Sequence, residues 1–287
     1  MSDAPPDRLA DVYAHAEAVV RDGDRDRWLA GLFVPANRRR HVFALQAFSA
    51  EVARVREIVR EPLPGEVRLQ WWRDALDGTG HGDVTGNPLA AALLDTVDRF
   101  RLPVATLQAL VDARVFDLYD DPMPTLLDLE GYAGETASVL FQAAALVLCD
   151  GDDPRAADAA GHAGVAYAIT GLLRALPIHA RRGQVFVPED VLARHGTSAE
   201  VLRDALLTPS IAGALAEMRD HARHHLDRAL AAIPKADPRA RPAFVPLGLV
   251  APYLKALDRQ TDPFASVADI PGWMKPVHLW RFARRLG

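Results

Sequence analysis

The sequence predicts an all-α protein. Apolar residues recur at spacings of three and four along most of the 287 residues, which is the period of one buried helical face. Alternating polarity, which would predict strands, is almost absent, and proline, glycine and aspartate separate the periodic stretches. Because 49% of the residues are hydrophobic and 25% are charged, the chain can bury a sizeable core. We therefore expect a single-domain helical bundle.

The helices can be placed along the chain from these patterns. The first covers about residues 9–20, and the second, about 26–32, ends before Pro35 because a residue that precedes proline disfavours helix. The third begins near Asn37, and Pro188 followed by acidic residues predicts a later helix start. The remaining segments are helices over about 63–76, 88–100, 126–148 and 155–176, with a turn-rich loop over 78–88.

The chain offers one candidate linker, at residues 232–246. This segment is rich in proline and basic residues, but it is too short to support a second domain. We expect residues 1–24 to form an N-terminal helical extension and residues 25–287 to form one all-α domain.

Charge and hydropathy exclude several classes of function. The net charge of −5 does not suit nucleic-acid binding, which needs a strongly basic face. Acidic residues interrupt the amino terminus, so it does not resemble a secretory signal, and no apolar run approaches the roughly 20 residues that span a bilayer. Cys149, the single cysteine, lies in an apolar run and suits a buried thiol in a reducing compartment. We expect a cytoplasmic protein that is soluble or peripheral at the inner membrane face.

Three blocks of residues carry a family pattern. They lie at the start of the third helix, near residues 130–138, and over residues 164–188. In order, the blocks are Phe33, Val34, Pro35, Arg39, Ala44, Leu45, Ala47 and Phe48; Glu130, Tyr132, Thr136, Ala137 and Ser138; and Gly164, Ala166, Leu173, Arg174, Arg182, Gly183, Val187 and Pro188. With these blocks, in this order over roughly residues 25–285, the chain resembles the squalene/phytoene synthase family. The resemblance implies a bundle of the isoprenoid (trans-prenyl) synthase type.

The metal-binding positions of that family are altered in this chain. Active members hold Mg²⁺ against the leaving diphosphate with carboxylates at i and i+4 on facing helices. The matching positions, which we name the altered metal site, are Ala53, Arg54 and Glu57 with Ala175, Ile178 and His179; the upstream Gln and Asn positions hold Ala168 and Gly171. One carboxylate cannot hold a metal cluster, so we expect no metal and no catalytic residue here. Pro177 further predicts that its helix kinks or ends near Leu176.

The altered pattern resembles the non-synthase branch of the family, typified by the mitochondrial complex I assembly factor related to phytoene synthase. The matching residues are Ala47, Phe48, Ser49, Glu51, Ala53 and Val55; Gln70, Trp71, Trp72, Arg73 and Asp74; Tyr132, Ala133, Thr136 and Ser138; and Leu173, Arg174, Ala175, Pro177, His179, Arg182, Val185, Phe186 and Pro188. This resemblance implies a non-catalytic assembly or interaction factor whose protein partners are complex I subunits. The alternatives are a transferase that condenses or binds prenyl diphosphates with Mg²⁺, and a carrier of an isoprenoid or lipid ligand.

The residues at and around the altered metal site are candidates for a relict or ligand-binding pocket. Guanidinium groups hold phosphates well, although surface arginines are mostly solvated. Glu51 lies at the margin of its apolar stripe, so we expect a buried pair with Arg174, His179 or Tyr132, and ligand binding is the alternative. The candidate pocket residues are Glu51, Arg54, Glu57, Tyr132, Arg174, His179 and Arg182.

Two further segments have recognisable patterns. His221, His224 and His225 have helical spacing, but no carboxylate or cysteine completes a recognised metal motif, so we expect a solvated helix face. Residues 273–287 form a basic amphipathic segment with two tryptophans. We expect it to pack on the bundle as a final helix, and contact with a membrane or a partner is the alternative.

Overall fold

A computed structural model of the protein describes residues 6–80 and 82–287, with side chains from Leu9 onward. Within those ranges the chain is helical and contains no strand, which confirms the predicted all-α fold. The helices are α1 (Pro6–Gly23), α2 (Arg25–Gly31), α3 (Ala36–Ala53), α4 (Val55–Ile58), α5 (Pro62–Asp77), α6 (Pro88–Phe100), α7 (Val104–Ala113), α8 (Leu126–Ala133), α9 (Val139–Leu148), α10 (Ala157–Arg174), α11 (Leu176–Arg181), α12 (Glu189–Arg194), α13 (Ala199–Arg203), α14 (Pro209–Ala232), α15 (Val250–Asp258) and α16 (Met274–Leu286).

Local sequence explains several of the helix ends. Pro188 precedes α12, as predicted. Gly78 ends α5 with a φ of 74°, a left-handed conformation that glycine adopts without a steric penalty. After the predicted loop, in which His81 lies outside the described residues, Asn87 caps α6 by accepting hydrogen bonds from the amides of Leu89 and Ala90. None of the described helices is long and apolar enough to cross a membrane.

Helix α10 lies at the centre of the bundle. It packs along α14 and also contacts α8, α9 and α15. At the amino-terminal end, α1 packs against α3 and α6. The division into residues 1–24 and 25–287 stays a prediction, and residues 1–5 lie outside the described chain.

A π-helical segment, Gly134–Ser138, joins α8 to α9 within the helix predicted over 126–148. The segment approaches α10 so closely that a Cβ on Gly164 would lie 2.1 Å from Ser138 Oγ and 2.4 Å from Ser138 Cα. Ser138 Oγ donates a hydrogen bond to the Gly161 carbonyl oxygen at 2.8 Å. Gly164 is therefore required by the packing of these two elements.

The prediction of a linker at residues 232–246 is wrong. Part of the segment belongs to a 3₁₀ helix, Pro238–Leu249, that lies in the core. Phe244 is fully buried and stacks on Phe141 of α9 with the ring centroids 5.9 Å apart. Proline breaks an α-helix because it lacks an amide donor, but it does not expose the chain to solvent. Proline content alone therefore predicted an exposed linker where the chain is in fact buried.

Candidate functional site

The first half of the altered metal site lies where α3 ends. Ala53 is the last residue of α3, and Arg54 separates it from the single turn of α4. The Arg54 side chain is exposed. Glu57 is also exposed, and its Oε1 lies 3.3 Å from Arg182 Nη2. The only carboxylate of this half is therefore paired with an arginine.

The second half lies where α10 ends. Helix α10 stops at Arg174, and α11 starts after one intervening residue with Pro177 in its first turn, so the predicted break is confirmed. His179 is partly buried, with its ring centroid 4.7 Å from that of Phe186. Burial and the nearby charge of Arg182 lower the pKa of His179 to about 4. The imidazole is therefore neutral at pH 7.

Tyr132 belongs to a buried polar cluster. Its hydroxyl donates to Asp117 Oδ1 at 2.7 Å and accepts from Arg114 Nη1 at 2.8 Å. Arg114 also pairs with Asp117 at 2.9 Å. Burial raises the pKa of Tyr132 well above its usual value, so the hydroxyl stays a neutral donor. These hydrogen bonds use the Tyr132 hydroxyl both as donor and as acceptor, so they hold the side chain in the protein interior.

Arg174 is held by groups near the carboxyl end of the chain. Its Nε donates to the Ala268 carbonyl oxygen at 2.9 Å, and its guanidinium carbon lies 3.5 Å from the centroid of the Tyr253 ring. Its terminal nitrogens lie 3.6 Å from Asp269 Oδ1 and 3.8 Å from Asp26 Oδ2. These contacts direct the guanidinium toward the carboxyl-terminal segment.

Lys275 of α16 completes this arrangement, which we name the carboxyl-terminal ion network: Asp26, Arg174, Tyr253, Asp269 and Lys275. The Lys275 ammonium lies 2.9 Å from Asp26 Oδ1 and 3.1 Å from Asp269 Oδ1. Tyr253 donates a short hydrogen bond to Asp26. The network joins α2, α10, α15 and α16, so it fixes the last helix of the chain on the bundle.

Glu51 has a different environment from the predicted one. Its side chain is partly buried, and among the described residues none pairs with it or donates a hydrogen bond to it. Arg174 and Tyr132 bind other acceptors, and His179 packs on Phe186. The prediction of a buried pair is wrong because each expected partner is engaged elsewhere, while a partly exposed carboxylate can stay hydrated.

The structure brings some of the predicted pocket residues together. Glu57 contacts Arg182, and Phe186 lies between His179 and Tyr132, with ring centroids 4.7 and 5.9 Å away. The others are separate, since Arg174 lies in the carboxyl-terminal ion network, Arg54 is exposed, and Glu51 is not paired with another described side chain.

The altered metal site does not fit a magnesium cluster. Mg²⁺ prefers near-octahedral oxygen ligands, and Glu57 supplies the only carboxylate at these positions. Within residues 6–80 and 82–287, the group of three or more side chains close enough to share one ion consists of Glu130, His221 and His225, on α8 and α14. The ligands that would hold metal ions against a leaving diphosphate are therefore not assembled at these positions.

The spaces around the candidate pocket are small. The cleft beside Arg174 has a volume of about 190 Å³ and is lined by ionic and phenolic groups. The cavity beside His179 has about 10 Å³, and the one between α2, α3 and α9 has about 30 Å³. Ligand pockets usually have roughly 300–1,000 Å³. A cleft of about 290 Å³ lies apart from these residues, between α7, α9 and α10.

Sequence reasoning missed two groupings that span long stretches of chain. One is the pairing of Asp26 with Lys275. The other involves the histidines, for which the predicted solvated face is wrong: His225 is buried, and His221 Nε2 lies 2.7 Å from Glu130 Oε1. The i, i+4 spacing of His221 and His225 was the sequence signal for the histidine grouping. Glu130, however, lies 91 residues from His221, and no local motif joins the two.

Comparisons of sequence agree with the predicted resemblance. The family model described as squalene/phytoene synthase matches residues 20–281. A rat protein named NADH dehydrogenase (ubiquinone) complex I, assembly factor 6 is 32% identical over 251 residues, covering 88% of this chain and 75% of that protein. The human protein of the same name is 31% identical and covers 91% and 79%. The 15-cis-phytoene synthase of Synechococcus elongatus is 23% identical and covers 93% and 91%.

Solved structures show the same fold. A dehydrosqualene synthase in complex with a ligand superposes with a TM-score of 0.79 at 17% identity, covering 99% of each chain. A squalene synthase from Alicyclobacillus acidocaldarius superposes with a TM-score of 0.75 at 20% identity, covering 89% of this chain and 96% of that one. The predicted isoprenoid-synthase type of bundle is confirmed.

Proposed function

Because this chain belongs to the squalene/phytoene synthase family, we propose that it is a non-catalytic member that assists the assembly of respiratory complex I through protein contacts. The proposal rests on the similarity, over most of the chain, to relatives named as complex I assembly factor 6. Those relatives are about one third identical, whereas the phytoene synthase is 23% identical.

The altered metal site supports a non-catalytic role. Ionising an allylic diphosphate requires concentrated positive charge at the leaving group within a shaped, dry cavity. Here Glu57 pairs with Arg182, Arg54 interrupts the first segment between Ala53 and Glu57, and α10 ends immediately before Ala175. The adjoining spaces beside His179 and Arg174, of about 10 and 190 Å³, are smaller than usual ligand pockets.

A turnover assay tests this part of the proposal. Purified protein is incubated with Mg²⁺ and farnesyl or geranylgeranyl diphosphate, and released diphosphate is measured beside an active phytoene synthase. We expect no release above the protein-free control. Turnover would establish the transferase alternative, and a thermal shift with prenyl diphosphate but without turnover would favour the carrier.

A deletion tests the assembly role. In the organism that encodes the protein, deletion is expected to lower NADH oxidation by complex I in isolated membranes while succinate oxidation stays unchanged. Complementation with the wild type and with Glu57→Gln should restore NADH oxidation equally, because the proposal assigns no metal ligand to Glu57. Normal complex I activity after deletion would contradict the proposal.

We also propose that the protein acts peripherally at the inner membrane face. Helix α16 packs on the 3₁₀ helix and α2, which confirms the predicted docking of the last helix. It leaves Trp273 and Trp280 75% and 50% exposed, beside exposed Arg281, Arg284 and Arg285. Exposed tryptophan with arginine is the composition that binds the interface of an anionic bilayer.

A further inference from the structure

Glu130 of α8 and two histidines of α14 form a compact cluster. His221 and His225 are one turn apart, so their side chains lie on the same face of α14. His221 Nε2 lies 2.7 Å from Glu130 Oε1, and His225 Nε2 lies 3.5 Å from the same oxygen. One ligand atom from each residue lies within 4.8 Å of the other two. Three potential metal ligands therefore converge on one point.

A further histidine orients His225. His162 of α10 places its Nδ1 3.0 Å from His225 Nδ1, and its Nε2 lies 3.7 Å from Asp158 Oδ1. When His225 ligates through Nε2, its proton is on Nδ1 and can be donated to His162. The His162 proton then lies on Nε2, toward Asp158. A single set of tautomers therefore satisfies all of these contacts. The partner of a metal-ligating histidine usually fixes its tautomer in this way.

The type of ion follows from the ligand atoms and their spacing. Tetrahedral zinc, with bonds of about 2.0–2.2 Å, keeps its ligand atoms about 3.3 Å apart. The two distances to Glu130, 2.7 and 3.5 Å, bracket that value. All three ligand atoms lie within 4.8 Å of one another, so an ion that binds all three requires the side chains to settle to about 3.3 Å. Imidazole favours zinc and its transition-metal neighbours, whereas Mg²⁺ favours oxygen.

The cluster can be reached from solvent and is also anchored. The Glu130 side chain is 32% exposed, which gives an ion a route into the cluster. The His225 side chain is only 9% exposed, so packing holds its ring in place. A surface ion pair of flexible side chains would lack this second property.

We propose that Glu130, His221 and His225 bind one transition-metal ion of the zinc class, with His162 as a positioning residue. The ion links α8 to α14, which both pack against α10, and water takes the fourth position. None of the three ligands is among the pocket residues predicted from sequence, so the site does not depend on the proposed assembly role.

Zinc titration of the untagged full-length protein, after treatment with a chelator, tests the site. We expect saturable binding of one zinc ion per chain by calorimetry and elemental analysis, with a higher thermal midpoint when zinc is present. His162→Gln should weaken binding by about 10–100-fold, the usual effect of removing an outer partner. Glu130→Gln and His221→Asn should weaken it further.

His224→Ala is the matched control. His224 is exposed on the same helix and lies outside the ligand set, so this variant should bind zinc as the wild type does. The proposal is overturned if the wild type shows no saturable binding, if Glu130→Gln binds as tightly as the wild type, or if His224→Ala weakens binding as much as Glu130→Gln.

Cobalt provides a readout that does not require a folded variant. Wild-type protein loaded with Co²⁺ should show visible absorption bands of a four- or five-coordinate nitrogen and oxygen site, and added zinc should remove them. Millimolar Mg²⁺ should leave the bands unchanged. A spectrum like that of hexa-aqua cobalt, or displacement by Mg²⁺, would overturn the assignment.

Discussion

At the residue scale, His41 shows how burial and hydrogen bonding select one protonation state. Its Nδ1 lies 2.8 Å from the Tyr13 hydroxyl and 3.0 Å from Thr96 Oγ1, and its Nε2 accepts from Arg40 Nε at 3.2 Å. Tyr13 and Thr96 donate their own protons to Asp95 and to the Ala92 carbonyl oxygen. The proton of His41 is therefore on Nδ1, and a second proton on Nε2 would face the Arg40 cation.

The first prediction concerns the pH dependence of stability. Burial and the Arg40 charge lower the pKa of His41 from 6.5 to about 4. Between these values the unfolded chain binds one more proton at this residue, so the free energy of unfolding decreases as the pH falls from about 6.5 toward 4, with a contribution of about 1.4 kcal/mol per pH unit. His41→Gln should reduce the pH slope measured by urea denaturation.

The control for this prediction is His15→Gln, because His15 is exposed on α1. That variant should keep the wild-type slope. An unchanged slope in His41→Gln would show that His41 does not stay neutral in the folded protein over this pH range.

The second prediction concerns two glycines of α10. Gly164→Ala would place a Cβ against the backbone of Ser138, so it should lower the free energy of unfolding by about 3 kcal/mol, the upper part of the usual range for overpacking. Gly161→Ala meets no atom within 4 Å and should raise stability by up to about 1 kcal/mol through helix propensity. Guanidinium denaturation measures both. Equal effects would mean that the π-helical segment can move away from α10.

At the element scale, the carboxyl-terminal ion network accounts for the position of α16. The side chains of Lys275 and Asp26 are only 12% and 13% exposed, so the ammonium is shielded from water. Without Lys275, Asp26 keeps the Tyr253 hydroxyl and the more distant Arg174 as its partners. The last helix is thus joined to α2 by a contact that removal of one amine would weaken.

The third prediction follows from that contact. Lys275→Met should lower the free energy of unfolding by about 2 kcal/mol. Breaking a fully buried ion pair costs about 3–5 kcal/mol, and here Asp26 keeps Tyr253 and Arg174 as partners. Amide exchange in α16 should accelerate more than in α10. Lys255→Met, at an exposed position on α15, is the control and should change neither quantity. Unaltered exchange in α16 would show that apolar packing alone holds it.

The fourth prediction concerns the exposed face of α16. The protein should sediment with vesicles that contain phosphatidylserine and should not sediment with purely zwitterionic vesicles. Trp280→Ala should weaken sedimentation, because the indole ring would insert at the interface. Leu127→Ala changes another exposed apolar side chain, on α8, and should have no effect. Equal binding to both kinds of vesicle would argue against the membrane role of this helix.

Sequence patterns predicted where helices begin and end better than they predicted which residues are buried and what they contact. Pro177 correctly indicated a break between α10 and α11, because the effect of proline on a helix is local. Phe244 was assigned to a linker, although it is buried, because the contact with Phe141 that buries it lies about a hundred residues away in the chain. His221 and Arg174 were misjudged for the same reason, since their partners come from distant segments.

At the scale of the whole molecule, the synthase fold is retained while carboxylates are replaced at the altered metal site. The bundle superposes on a dehydrosqualene synthase over 99% of each chain. Arg54 separates α3 from α4, and Ala175 separates α10 from α11, at the positions where the family places its carboxylates. In this chain the altered positions therefore coincide with helix ends in both segments.

The fifth prediction follows from these helix ends. The triple variant Ala53→Asp, Ala175→Asp, His179→Asp restores carboxylates at i and i+4 in both segments, yet it should release no diphosphate from farnesyl diphosphate with Mg²⁺. The interrupted helices and the small spaces would remain. The matched control carries Asn at the same three positions. Turnover by the aspartate variant alone would mean that carboxylates were the single missing component.

The pairing of Glu57 with Arg182 has a consequence for encounters at this surface. Opposite charges side by side largely cancel at distances beyond the Debye length of about 8 Å in physiological salt. A protein that docks on this face would thus gain little long-range attraction from this pair. Electrostatic steering there would come instead from neighbouring exposed charges such as Arg54.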